Sequence, residues 1–239
     1  MSTNSSLKRS LRDRDTRQRD LVPPDRLAAC QAVVIGVGAI GRQVALQMAA
    51  MGVSRLTLID HDQVGIENLA PQGYWPSDLN EPKVDATAAV CLQINPDLGL
   101  RRFAERFRRS LVREVIVGSN LVVVCCVDSI GTRRLIWESV RSRATLFLDG
   151  RMNAEVIRIL AVDRPGSDAY YATTLFAEAE AFAGSCTAKS TIYTASIAAG
   201  LMLGQFTRWL RNLPVEADVL FNSLAMDLTV SAPPRRDSA

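Results

Sequence analysis

From Gln31 onward, short apolar runs alternate with longer segments in which apolar residues recur at helical spacing. That is the pattern of a parallel sheet whose strands are joined by crossover helices. The runs predict strands over Ala32–Ile35, Leu56–Ile59, Leu98–Ala104, Leu121–Val127, Leu146–Leu148 and Val156–Val162. Helices are expected over Ile40–Met51, closed by Gly52; from near Pro82 to Ile94, stopped by Asn95-Pro96; over roughly Thr132–Arg143; and over Ser190–Arg211. Pro23-Pro24 breaks the chain before a further short helical segment. The stretch from Pro165 to Lys189 has no such period and reads as a long crossing segment, a kind of loop that tends to be functional. Gly200 and Gly204, four apart in the last helix, permit close packing in the core or, alternatively, at a dimer seam. The expected fold class is α/β, a mostly parallel sheet with helices on both faces, a crossover loop and a C-terminal helix.

The polar ends set the boundaries: a charge-mixed flexible arm over 1–20, a single domain over 21–230 and a disordered tail over 231–239. At 239 residues and 48% hydrophobic, the chain supplies one full core. A formal charge of +3 gives no global argument for nucleic acid. Five arginines lie between Arg101 and Arg109 with Phe103 and Phe107 among them; strand alternation explains them as a solvated face. No apolar stretch is long enough to span a bilayer and no signal peptide is visible, so a cytoplasmic location is expected. Five cysteines without regular spacing fit a reducing compartment. A single histidine, His61, and no C-x-x-C pair leave little room for a His triad or a structural zinc. Any catalytic metal should be magnesium held by oxygen ligands.

The chemistry concentrates between Val33 and Lys83 and again after Val127. GVGAIG places Gly36, Gly38 and Gly41 in G-x-G-x-x-G directly after the first apolar run. Such a turn brings backbone N–H groups and a helix N-terminus to an anionic phosphate. Asp60 and Asp62 follow the second strand, then come Asn68, Gln72 and Lys83. A dinucleotide site needs one acid for a ribose; this wider polar lining suits a triphosphate. Asp128 closes the run LVVVCCV at a strand's C-terminal end, where α/β sheets place ligands. Each has a simpler reading alongside: Asp128 as a helix N-cap, Lys83 as a surface lysine, Asp62 as a turn-shaping residue.

GVGAIG, LIDHDQVGIENLAPQ, EPKVDA and CCVDS together resemble the ThiF/MoeB/HesA and E1-like (ubiquitin-activating-type) adenylyltransferase superfamily, from about Arg14 to about Arg211. The resemblance implies a Rossmann-like sheet that binds ATP and Mg²⁺ and adenylates the C-terminal carboxylate of a small ubiquitin-like or sulfur-carrier protein, or a peptide. It implies that Gly36, Gly38 and Gly41 admit the phosphates, Asp60 takes the ribose, Asn68, Gln72 and Lys83 position the triphosphate, and Asp128 holds the metal. Arg14-Asp-Thr-Arg17-Gln18 resembles the family's N-terminal R-Y-x-R-Q, with Asp15 in place of the aromatic. Carried over, Arg17 reaches a partner's phosphates and the enzyme is a homodimer; otherwise Arg17 is one more solvated arginine. Cys186-Thr187 resembles the Cys-Thr of thioester-forming relatives, so Cys186 would accept the activated carboxylate; its plain alternative is a small buried residue. Cys30, Cys91, Cys125 and Cys126 read as core.

Two departures stand out. Pro71 occupies the position of the arginine in the family's N-x-x-R-Q, with Arg42 or Arg151 as possible substitutes. The zinc-binding C-x-x-C pairs of many relatives are absent. Two other functions use the same turn: an NAD-dependent oxidoreductase, and a catalytically silent scaffold, which Pro71 favours.

Overall fold

The computed structural model describes residues 14–115, 120–163, 167–176 and 190–231. A single eight-stranded sheet runs through it in the order β3-β2-β1-β4-β5-β6-β7-β8. The five strands β1 (Gln31–Ile35), β2 (Arg55–Ile59), β3 (Gly99–Phe103), β4 (Leu121–Cys125) and β5 (Ala144–Asn153) are mutually parallel. The last three, β6 (Val156–Val162), β7 (Asp218–Asn222) and β8 (Asp227–Ser231), add on antiparallel. The six expected strands are all present. The β7–β8 hairpin was not expected, because β8 is exposed at every position and carries no burial pattern to detect.

The central strands are apolar without interruption because both faces are covered. In β1, Ala32 and Val34 point into one core and Val33 and Ile35 into the other. The first core is roofed by α2 (Ala39–Met51), α4 (Lys83–Ile94) and α8 (Ile192–Leu210). The second lies under α5 (Leu111–Val115), α6 (Ile130–Val140) and α7 (Ser167–Thr173). The remaining helices are α1 (Pro24–Ala28) and the single turn α3 (Leu69–Gln72). Within the crossing stretch expected to be irregular, α7 is helical, and Tyr171 explains why: it is buried in two edge-on ring contacts, with Trp137 and with Phe147, which also meet each other edge-on.

On α8 the packing side is made by Ala195, Ala198, Ala199 and Met202, which are fully buried. Gly200 and Gly204 lie on the exposed side, and a Cβ at either would meet nothing within 4 Å. The glycine pair therefore serves no close packing among the described residues.

Residues 14–22 form turns against the lower end of the domain. Arg14 donates to Ala49 O and Ala50 O at the end of α2 and to Ile94 O at the end of α4, at 3.0–3.1 Å. A guanidinium at two helix C-termini satisfies orphan carbonyls and meets the negative end of each dipole. Gln18 adds a bond to Met51 O. The described part of the expected flexible arm is thus tied down; 1–13 and 232–239 lie outside the described residues. No helix among the described residues is long and apolar enough to cross a membrane.

Candidate nucleotide site

All parallel strands end on one edge, and the cleft lies there. It encloses about 730 Å³, within the roughly 300–1,000 Å³ typical of small-ligand sites.

Its floor is the turn from β1 into α2. Gly36 has φ +85°, and a Cβ there would lie 2.7 Å from Cys126 O. A Cβ on Gly41 would overlap the Gly36 carbonyl oxygen. These two glycines let the turn pass between β4 and the first turn of α2. Gly38 is different: its face is open toward the cleft, leaving the space to a ligand. The N-cap of α2 is Gly38 itself, with no side-chain cap and no acid in the first turn. The first N–H groups of α2 and its positive dipole end therefore have no carboxylate on their own helix. Gly36→Ala should cost about 2–4 kcal/mol, combining left-handed backbone strain with a steric clash; urea denaturation measures it, and a loss under about 1 kcal/mol would contradict the crowding described.

The acids after β2 are ordered by this turn. Asp60, with its side chain 8% exposed, accepts from Val37 N at 2.6 Å and from Asp62 N at 2.9 Å. It faces the cleft while locking the glycine turn to β2. Asp62 does more than shape a turn: its carboxylate receives the Lys83 ammonium at 3.0 Å, and Lys83 N donates to Asp62 O. Lys83 is only 6% exposed and lines the cleft, so it is no solvated surface lysine. Ligand atoms of Asp60, His61 and Asp62 fall within 4.8 Å of one another, a spacing that could hold a cation.

Across the turn, Asp128 projects from the end of β4 into the cleft, exposed. The N-cap of α6 is the next residue, Ser129, whose Oγ accepts from Thr132 N. Asp128 has no capping task, and it makes no hydrogen bond or ion pair among the described residues. Gln72 lines the opposite wall, and its Oε1 is buried without a hydrogen-bond partner among the described residues. A buried amide left unsatisfied calls for an explanation, and a polar ligand in the cleft supplies one.

Other candidate residues fall elsewhere. Asn68 does not line the cleft; it is buried and its Oδ1 accepts from Gly65 N at 2.9 Å, closing the loop before α3. Arg42 does not substitute for the arginine missing at Pro71: it is 2% exposed, donates to Gly73 O and Thr87 Oγ1, and lies over the Tyr74 ring. Arg151 is engaged by Asp149 and Thr174. Arg17 is exposed and outside the cleft, on the segment anchored at the far end of α2. Thirteen residues of helix separate the two ends by about 20 Å. Cys186 and Lys189 lie outside the described residues.

The thiolate form of the four remaining cysteines is disfavoured by burial. Burial pushes the Cys30 thiol up to about 11 and the Cys91 thiol to about 12, and raises Cys125 and Cys126 as well. Cys126 departs from a purely core role, since it is half-buried and lines the cleft beside Gly36.

Sequence reasoning missed Glu105, Arg106 and Phe107, which the β3–α5 loop brings into the cleft, and Arg133, which forms part of its base. Arg133 bridges Asp149, Val127 O and Gly150 O. The available signal for Arg106 was its place three residues past a strand's C-terminal end; alternation masked it.

The ThiF family model matches residues 13–236. The chain belongs to the ThiF family. It is 36% identical over 112 residues to the SAMP-activating enzyme E1 of Haloferax volcanii, a match covering 46% of this chain and 41% of that protein. It is 31% identical over 112 residues to the sulfur carrier protein ThiS adenylyltransferase of Escherichia coli, covering 46% of this chain and 44% of that protein. Each match thus spans less than half of the relative's length. The crystal structure of PaaA shares the fold with a TM-score of 0.73 at 18% identity, over 98% of this chain and 75% of that one. The Rossmann-like, mostly parallel fold expected from the sequence is the one present.

Proposed function

We propose that this ThiF-family chain is an ATP- and Mg²⁺-dependent adenylyltransferase that activates the C-terminal carboxylate of a small ubiquitin-like or sulfur-carrier protein, or of a peptide. It would act as a homodimer in the cytoplasm. The observation that carries this is the convergence of an open helix N-terminus, a ribose-competent acid, a buried lysine and an unengaged aspartate in one cleft. The chemistry named for the ThiS relative supports the same reaction.

The residues fit the reactants. The N–H groups at Gly38 and the first turn of α2 suit phosphate oxygens, and Lys83 adds a point charge. Asp60 retains lone pairs for ribose hydroxyls after serving Val37 and Asp62, since a carboxylate offers about four acceptor sites. Asp128 presents the hard oxygen ligand that magnesium prefers. Bound there, the ion would neutralise phosphate charge and ease pyrophosphate departure. A carboxylate oxygen of the carrier then bonds to the α-phosphorus as the bond to the bridging oxygen of the β-phosphate breaks. The cleft continues past Asp128 to Gly150, Met152 and Ser190, room in which an extended C-terminus would lie.

An oxidoreductase needs the glycine turn and Asp60 but has no use for a buried Lys83 held by Asp62 in the same cleft as Asp128. A silent scaffold leaves the unengaged Asp128 and the orphaned Gln72 amide unexplained. The test is ATP–pyrophosphate exchange with a candidate carrier and with the same carrier lacking its final residues. Exchange that needs the intact C-terminus supports the proposal; stabilisation by NAD with no exchange would replace it with the oxidoreductase.

Because Arg17 sits at the opposite end from its own cleft, its role in the proposal is to enter the partner's. Mixing Arg17→Ala with Asp128→Ala should then restore roughly a quarter of the wild-type exchange rate, as half of randomly paired dimers carry one complete site. No restoration would rule out action in trans.

A further inference from the structure

The geometry points to a second cavity, at the end of the sheet opposite the nucleotide cleft, as a docking site for the chain's own segment 232–239.

The cavity encloses about 500 Å³. Its walls come from the element ends that face away from the cleft: Trp137 and Arg141 at the end of α6, Thr145 at the start of β5, Asp163 just after β6, Asp168 in α7 and Trp209 at the end of α8. Both indoles are fixed in place. Trp137 packs edge-on against Phe147 and Tyr171, and Trp209 stacks on Phe206 with the Arg26 guanidinium 5.7 Å from its ring centre.

The donors here are unused. Neither Trp137 nor Trp209 makes a hydrogen bond among the described residues. Trp137 is only 5% exposed, yet Gln72 Oε1 is the one fully buried side-chain polar atom left without a partner among those residues. The Trp137 indole N–H therefore keeps an opening, and the cavity is the space its ring borders. The Arg141 side chain likewise forms no hydrogen bond or ion pair among the described residues. Asp163 and Asp168 do have other partners, but a carboxylate offers about four acceptor sites.

Segment 232–239 matches these groups and lies outside the described residues. It reads Ala-Pro-Pro-Arg-Arg-Asp-Ser-Ala. Pro233 and Pro234 carry carbonyls but no N–H, and such a pair favours the extended PPII form that aromatic-lined sites recognise. Arg235 and Arg236 suit the two acids, and Asp237 suits Arg141.

Strand register brings the segment within reach. Ser231 pairs with Asp218, which pairs with Leu160, so the end of β8 lies two strand spacings, roughly 10 Å, from β6. Both β6 and β8 are antiparallel to β7, so the chain leaves Ser231 toward the cavity's end of the sheet. Asp163 is three residues past Leu160, again roughly 10 Å, which puts it about 14 Å from Ser231. The five steps to Arg236 span at most about 17 Å. Segment 1–13 leads instead into Arg14, which is held by the ends of α2 and α4, and neither helix lines this cavity.

Nitrogen-15 NMR of the indole N–H groups tests the docking. Single Trp→Phe replacements assign the three signals, and Trp75, which does not line the cavity, is the internal control. The full chain carrying Arg235→Ala and Arg236→Ala, and a chain ending at Ser231, should both shift the Trp137 and Trp209 signals and leave Trp75 in place. Adding the peptide 232–239 to the shortened chain should restore them. A peptide with both arginines replaced by alanine should bind roughly 3- to 25-fold more weakly, the combined effect of two exposed ion pairs. Thermal melts check that the shortened chain folds, and the full-length double variant carries the test if it does not. Signals that stay put in both proteins would empty the cavity of this segment and overturn the inference. The same shifts on deleting 1–13 would give the cavity to the other arm. A fall in molecular mass on deleting 232–239, measured by sedimentation, would place the segment in a second copy's cavity rather than its own.

Discussion

Asp128→Ala should lower ATP–pyrophosphate exchange by at least about 100-fold while leaving the unfolding free energy within about 0.5 kcal/mol of wild type. The two halves of that expectation come from the same observation. Asp128 is exposed, makes no hydrogen bond among the described residues, and leaves the α6 cap to Ser129. Its removal exposes no buried group and opens no cavity, so stability has nothing to lose. Activity has much to lose under the proposed function, because this carboxylate is an unengaged oxygen donor lining the same cleft as the glycine turn. Electrostatic groups aimed at developing charge are commonly worth about two to three orders of magnitude in rate. Retained exchange would refute its role. A large fall in stability would instead show that Asp128 serves the fold.

The second large effect lies beneath the cleft and has the opposite signature. Asp149 is fully buried and is shared by three donors: Arg133, Arg151 Nε at 2.8 Å and the Tyr171 hydroxyl at 3.0 Å. Asp149→Ala leaves two largely buried guanidinium groups with no countercharge between them. Removing one partner from a buried ionic cluster costs about 3–5 kcal/mol, because the remaining charges stay desolvated. In a domain of this size that is a drop of roughly 10 °C in melting temperature. Arg133 also holds Val127 O, next to Asp128, and Arg151 holds Thr174, so the cleft should loosen as the fold weakens. Chemical denaturation measures the first effect, and MgATP affinity under strongly native conditions measures the second. A cost below about 1 kcal/mol would mean that the arginines find other partners or water.

The residues recognisable from sequence are those whose role depends on near neighbours in the chain. GVGAIG marks a strand-to-helix turn because the apolar run before it and the helical period after it are both local. Asp60 and Asp128 follow apolar runs, so their placement at strand ends comes from the same short-range pattern. β1, β2 and β4 were visible for this reason: burial on both faces produces a nearly unbroken apolar run. The β7–β8 hairpin carried no such signal, since β8 buries neither face. In α7, single long-range contacts by Tyr171 decide the structure where local period does not.

Which polar group points where is a different kind of fact. Lys83 could have been a surface lysine until α4 packed its first turn against Asp62 and took it out of water. Asn68, adjacent in sequence to plausible ligand contacts, is consumed by Gly65 N. Arg42 looked available for a phosphate and is instead held over the Tyr74 ring and bonded to Gly73 O. Arg106 looked like one arginine in a solvated run, and the turn after β3 carries it into the cleft. Short-range patterning specifies the strands, the turn and the acids at the strand ends, because these follow from steric and hydrophobic rules acting over a few residues. Partner choice follows from which elements pack together, since a buried charge must find its counterpart wherever the fold brings one within reach.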